Sequence, residues 1–296
     1  MSLTTKEGER SMNPIQEKPQ KPRKGRWLIG LLVLLIAGMA YFVWRLSSVT
    51  NAFADGFQSP EMAAAQYADR TVYGELGGVL VAIPPHFAEY VEYNGDSGGG
   101  KRKGPKPVRT KESKLMSFGF DVRYPDMVGK DTSERREDYR NRKLRTTTWI
   151  RVGLGSGEIY NGPGVINRRT KNALARKLDP NQKSPWERYE KLGRNEYGLD
   201  VYVLKGNNPA DGVPYRESRN AKDIFVGGDA GGHALAYIDC DSQSILNPLC
   251  QHEFDLAPKM HAYVRLIYRR GLLSEWKNIQ DEVTKLVLNF AMDGQK

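Results

Sequence analysis

Histidine and cysteine are scarce in this chain, four and two among 296 residues. The histidines, His86, His233, His252 and His261, form no i,i+4 pair and no His-Glu-x-x-His, which excludes the usual helical zinc site. Cys240, Cys250 and His252 lack a fourth ligand nearby, and a metal tetrad would need reduced thiols. No glycine-rich phosphate loop and no nucleic-acid recognition motif appears, and no segment repeats at a fixed period. Gly153-Leu154-Gly155-Ser156-Gly157 has the wrong spacing for a nucleophile elbow and reads as a strand end with flexible glycines. Gly95-Asp96-Ser97-Gly98-Gly99 resembles the nucleophile segment of trypsin-like proteases. However, only His86 precedes Ser97, and no upstream barrel exists to build an oxyanion hole. Asp239 and Asp241 flank Cys240 and read as solvated turn residues. No set of residues assembles acid, base and nucleophile, so neither catalysis, nor a cofactor, nor a small-molecule substrate is expected.

Long hydrophobic runs are equally rare, and the single one organises the rest. Trp27 to Trp44 is free of charge for eighteen residues. At ~1.5 Å per residue a helix of that length covers roughly 27 Å, about the thickness of a bilayer's hydrocarbon core. Lys18, Lys21, Arg23, Lys24 and Arg26 crowd before it and only Arg45 lies close after it, so the N-terminus belongs on the cytoplasmic side. Trp27, Tyr41, Phe42 and Trp44 stand where aromatic rings straddle the lipid–water boundary. Ala52-Phe53-Ala54 has the small-x-small form of a cleavage site, so a retained anchor and a cleaved signal peptide both remain open. Either one exports the remainder of the chain; in a bacterium that bulk is periplasmic, anchored in the inner membrane through 27–46.

The net charge of +10 is split. Residues 1–26 carry seven Lys or Arg against three Glu, whereas 37 basic face 32 acidic residues beyond the anchor. The basic excess is thus split between a topology signal and a mildly basic domain, and nucleic acid is not an expected partner. In an oxidising compartment Cys240 and Cys250 are expected to form a disulfide, and so short a loop contributes roughly 3 kcal/mol.

The expected organisation is a disordered cytoplasmic tail (1–26), a transmembrane helix (27–46), a spacer (47–70) and an exported domain (71–296), with a sub-boundary allowed near 155–200. Strands are expected at Gly78–Ile83, Ser117–Tyr124, Thr146–Leu154, Leu199–Leu204, Asp223–Val226, Ala234–Cys240, His252–Leu256 and His261–Arg269. Phe118, Phe120, Val122 and Tyr124 share one face by period two; Ala262, Val264 and Leu266 do the same. Short helices are expected over Lys171–Leu178 and Trp186–Leu192, and residues 129–145 read as a charged loop or helix. Leu273, Trp276, Ile279, Val283, Leu286, Val287 and Phe290 form one apolar stripe of a C-terminal helix expected over Leu272–Phe290, with Ser274 as its N-cap or a first-turn residue. The expected class is α+β, a mostly antiparallel sheet with that amphipathic helix packed on it; two similar lobes are permitted.

Three features point to binding: the tether, fifteen tyrosines, and a basic loop at 101–114 with Lys101, Arg102, Lys103, Lys106 and Arg109 as candidate partner contacts. Ile83-Pro84-Pro85-His86-Phe87 leading into Tyr90-Val91-Glu92-Tyr93, then Phe118 to Met127, Cys250-x-His252-x-Phe254 and Tyr268 to Trp276 resemble inner-membrane-anchored periplasmic immunity proteins. These are associated with type VI secretion effectors, notably phospholipase-type toxins. The resemblance implies a stoichiometric inhibitor that binds and neutralises a secreted toxin. The alternative is an accessory or scaffold protein of a secretion or envelope complex.

Overall fold

A computed structural model describes residues 70–96 and 107–292. The expected tail, transmembrane segment and spacer lie outside these residues, as do Ser97 and the candidate contacts Lys101, Arg102, Lys103 and Lys106. Among the described residues no helix is long and apolar enough to cross a membrane.

Eleven strands succeed one another in chain order. They are β1 (Val72–Leu76), β2 (Val79–Ile83), β3 (Glu89–Tyr93), β4 (Leu115–Arg123), β5 (Trp149–Ser156) and β6 (Tyr189–Glu196). After these come β7 (Leu199–Leu204), β8 (Lys222–Gly228), β9 (Ala234–Asp241), β10 (Leu249–Asp255) and β11 (Ala262–Arg269). Three helices accompany them among the described residues: α1 (Ser133–Asn141), α2 (Val165–Lys177) and α3 (Trp276–Leu288). β1 and β2 pair as a hairpin; the other nine strands form one antiparallel sheet in the order β3-β4-β5-β11-β10-β9-β8-β7-β6. β5 pairs with β11, so strands from both halves of the sequence share this sheet. The α+β expectation, with its antiparallel sheet and C-terminal helix, holds.

The register shows why period two decides the packing. On the inner face one unbroken row runs Phe120, Val152, Leu266, His252, Ile238, Phe225, Val201, one residue from each of seven neighbouring strands. A parallel row runs Phe118, Leu154, Val264, Phe254, Ala236, Gly227. α3 covers this face with Ile279, Val283 and Val287, all fully buried. Each such aliphatic side chain contributes about 2 kcal/mol by leaving water. Trp276 sits where a Cβ on Gly227 would be, 2.8 Å from the ring, and its indole N–H donates to the Tyr197 carbonyl at 3.0 Å. The chain after α3 is stitched to the hairpin: Ala82 N–H donates to Phe290 O and Met292 N–H to Leu80 O. Phe290 then packs with Phe87, Phe118 and Phe120.

Cys240 and Cys250 occupy one register pair of β9 and β10 and form the expected disulfide, buried within the inner face. Three local expectations are corrected. Trp186–Leu192 is not helical: a single turn over Pro185–Glu187 leads into β6, because pairing with β7 outweighs the three-residue spacing of Trp186, Tyr189 and Leu192. The residue before α3 is Glu275, and Ser274 falls inside a preceding turn over Arg270–Glu275. α2 starts six residues earlier than expected, at Val165, behind left-handed Gly164.

Candidate protein-binding face

The outer face of the sheet divides into two parts. Over β7 to β9, the outward residues Tyr202, Leu204, Ile224, Val226 and Tyr237 are apolar or aromatic; they pack with Tyr189, Tyr215 and Leu174 of α2, which lies over β9 and β10. Asn167 fixes the helix by accepting from Ala234 N–H at 3.0 Å. Over β3, β4, β5 and β11 the outward residues change character. Three rows cross these strands: Asp121, Arg151, Ile267; then Glu89, Gly119, Gly153, Arg265; then Ser117, Gly155, Tyr263. No helix among the described residues covers them.

Glycine supplies the floor. A Cβ on Gly155 would stand 2.6 to 2.8 Å from atoms of the Tyr263 ring, so that ring lies flat on bare backbone. A Cβ on Gly119 would meet the Val152 carbonyl at 3.1 Å and Tyr90 at 3.7 Å. At Gly153, between them, a Cβ would meet only the Arg265 carbonyl, at 3.8 Å. The result is a groove of about 280 Å³ with Tyr90 on one wall, Tyr263 and Ile159 on the other, and Arg151 and Arg265 at the rim. Tyr90 has φ 52° and lies in the bulged part of β3, where the register with β4 shifts. A left-handed non-glycine residue on a bulged edge strand is a strained arrangement held by its surroundings.

Beneath the rim lies a compact charge cluster. Lys130 Nζ stands 2.5 Å from Glu89 Oε1 and 3.0 Å from Asp121 Oδ2, and both carboxylates are buried. Burial pushes the Glu89 carboxyl above the ordinary range, with Lys130 opposing. Burial alone would lower the Lys130 ammonium, but Asp121 and Glu89 outweigh it and the net shift is upward. Arg151 Nε donates to Asp121 Oδ1 at 3.3 Å and its Nη2 to the Tyr139 hydroxyl at 3.3 Å. Tyr139 belongs to α1, and its ring is stacked by Lys130 and Arg142 and meets Trp149 edge-on. α1 has no buried residue of its own; it is seated by this aromatic contact and by Asp138, which accepts from the Trp149 indole N–H and from Arg123, both at 3.1 Å. On the other side Arg265 donates to Glu253 at 2.8 Å, and Arg169 lies 5.1 Å from the centre of the Tyr263 ring.

No family model and no curated protein matches the chain. Two solved structures are similar to it. One is an immunity protein of the Stenotrophomonas maltophilia type IV secretion system, 15% identical, with 75% of this chain and 94% of that one covered, at a TM-score of 0.48. The other is the Neisseria meningitidis iron-regulated outer membrane lipoprotein FrpD, 10% identical, with 75% and 93% covered, at a TM-score of 0.40. These values do not show a family for the chain.

The residues singled out from sequence fall elsewhere. Arg109 sits at the foot of the basic loop, paired with Asp96 and 4.4 Å from the centre of the Tyr93 ring. His86 packs on Phe87. His252 is buried in the inner face, with Nε2 3.0 Å from Gln280 Oε1 and Nδ1 3.4 Å from the Tyr268 hydroxyl. Burial lowers its pKa to about 4. His261 stacks on Tyr160 and does not share a cluster with His252; among the described residues no group of three potential metal ligands occurs. Ser156, inside the glycine-rich strand end, is buried and its hydroxyl donates to the Leu115 carbonyl. Sequence reasoning misses Gly119, Gly153, Arg151 and Arg265. Their one signal is that Gly119 and Gly153 fall on the outward phase of strands whose inward phase carries Phe118, Phe120 and Val122, and Ile150, Val152 and Leu154.

Proposed function

We propose that the chain is a binding protein that captures and neutralises a secreted antibacterial toxin, held at the outer face of the inner membrane by residues 27–46. The observation that carries the binding reading is the uncovered part of the outer sheet face. It offers a tyrosine-walled, arginine-rimmed groove, and Tyr and Arg are the residue types that dominate binding hot spots. The resemblance of Phe118–Met127, Cys250–Phe254 and Tyr268–Trp276 to periplasmic immunity proteins supplies the class of partner, a type VI effector of phospholipase type. A tether suits such a partner, because it raises the inhibitor's local concentration where a lipid-directed toxin acts.

The test is rescue. An effector encoded beside this gene is directed to the periplasm with and without the full chain. Growth is expected only with it, together with a complex that co-purifies from membranes. No protection and no complex removes the reading. An alkaline phosphatase fusion at the C-terminus is expected to be active; a fusion active only as a cytosolic reporter removes the tether.

A further inference from the structure

The groove has a chemistry of its own, which names what enters it. We infer that it receives an acidic–aromatic segment of a protein partner: one planar side chain seated on Gly153, with a neighbouring carboxylate taken by Arg265 and Arg151. This rests on the binding reading and adds the partner's chemistry to it.

Size is the first support. The groove holds about 280 Å³ and is open to solvent along its length. It suits one or two side chains. The floor at Gly153 is flat backbone with no side chain, and the walls are the rings of Tyr90 and Tyr263, a setting that favours a planar apolar group.

Charge is the second. Arg151, Arg265 and Arg169 are 52%, 45% and 39% exposed, whereas the carboxylates that hold them, Asp121 and Glu253, are 5% and 11% exposed. Glu89 is likewise buried. The local charges nearly cancel, yet the cations face solvent and the anions face inward. Each arginine spends donors on an internal acid: Arg151 through Nε, Arg265 through Nε and Nη2. Nη1 of both has no partner among the described residues. An incoming carboxylate therefore meets guanidinium groups already fixed in orientation, the arrangement that makes charge-assisted hydrogen bonds strong. A basic segment would meet three exposed cations, while Asp121, Glu253 and Glu89 stay buried beneath them.

The experiment selects a displayed library of random twelve-residue peptides on the purified full chain, with Gly153→Trp and Arg265→Glu as counter-targets. Gly153 is not left-handed and a Cβ there has room, so Gly153→Trp fills the slot without straining the strand. Melting curves of each variant confirm folding. The expected result is enrichment of Trp, Tyr or Phe beside Asp or Glu, with affinity falling ten- to a hundredfold on Gly153→Trp. Arg265→Glu is expected to weaken the same peptides and to select Lys or Arg beside the aromatic instead. Enrichment of basic or non-aromatic peptides, no enrichment, or binding indifferent to both variants overturns the inference. So does a dimer that Gly153→Trp dissolves, since the occupant would then be a second copy. Binding confined to vesicles rich in phosphatidylglycerol and lost in Arg265→Glu also overturns it. Toxin rescue that survives both variants leaves the binding reading standing and sinks this one alone.

Discussion

The two parts of the outer face belong to one sheet, share one pleat and differ in what points outward. Over β7 to β9 the outward positions hold Tyr202, Ile224, Val226 and Tyr237, which pack with Tyr189, Tyr215 and Leu174 of α2. Over β4, β5 and β11 they hold Gly119, Gly153, Arg151 and Arg265, and the described helices reach only the edge of this part, through Tyr139 of α1 and Arg169 of α2. A helix gains its place by burying apolar area, and glycine with arginine offers it little. Stability is therefore built by the inner face and by the covered part, while the uncovered part is released for recognition. That division can be broken residue by residue.

The largest effect contrasts two neighbours on β11. Leu266 is fully buried in the central inner row; Ile267, the next residue, is half-buried on the uncovered outer face. Leu266→Ala is expected to destabilise by about 3 kcal/mol, the range for truncating a core leucine. Ile267→Ala is expected to cost about half as much and to weaken partner binding as well, since part of its side chain already meets solvent and no inner-face cavity opens. Urea unfolding of both variants measures this. Equal losses would mean that the uncovered part carries as much of the fold as the inner face, and the division would fail.

The same line separates the residues whose place is legible in the sequence from those whose place is not. The inner face is legible because burial imposes period two: Phe118, Phe120 and Val122 on β4, then Ala262, Val264 and Leu266 on β11. The stripe of α3 is legible for the same reason, and the oxidised pair is expected from compartment and spacing. The groove is not legible, because a floor made of glycine leaves no side-chain pattern. Gly153 to Gly157 reads as slack strand end until the register places Gly153 between Gly119 and Arg265. β6 escapes a reading by periodicity because its residues Tyr189–Glu196 are mostly exposed and charged, so pairing at a sheet edge, not burial, defines it.

The next effect, of comparable size, comes from acid and tests the inner face alone. His252 is the polar member of an otherwise apolar row, and its surroundings are Tyr268, Gln280, Phe254 and Trp276. With Nε2–H donating to Gln280 and Nδ1 accepting from Tyr268, the neutral ring is satisfied and the imidazolium is not. Its pKa of about 4 lies below the unfolded value of 6.5. As pH falls through 6.5 the unfolded chain takes a proton that the folded chain refuses until about pH 4. Stability fully present above pH 6.5 is thus lost downward, by about 3 kcal/mol across the window. His252→Gln is expected to lose less between pH 7 and 4.5 than the parent in urea unfolding at each pH. Parallel losses would mean that the ring is protonated, or wet, in the folded chain.

The smallest expected change to the fold tests whether the uncovered part is tuned for recognition. The Tyr139 hydroxyl, on α1, accepts from Arg151 Nη2, while the Tyr139 ring keeps its contacts with Lys130, Arg142 and Trp149. Tyr139→Phe removes the hydroxyl and leaves the ring, so stability should change by less than about 0.5 kcal/mol, as for a solvent-exposed hydrogen bond. Arg151, held then only by Asp121, is expected to sample more orientations, and affinity for an acidic–aromatic peptide should fall a few-fold, read by titration calorimetry. Unchanged affinity would mean that Asp121 alone orients the guanidinium and that α1 packs against the groove without serving it. A loss of several kcal/mol in stability would place α1 among the elements that hold the sheet together, and the line between the two parts would have to be drawn on the far side of β3 and β4.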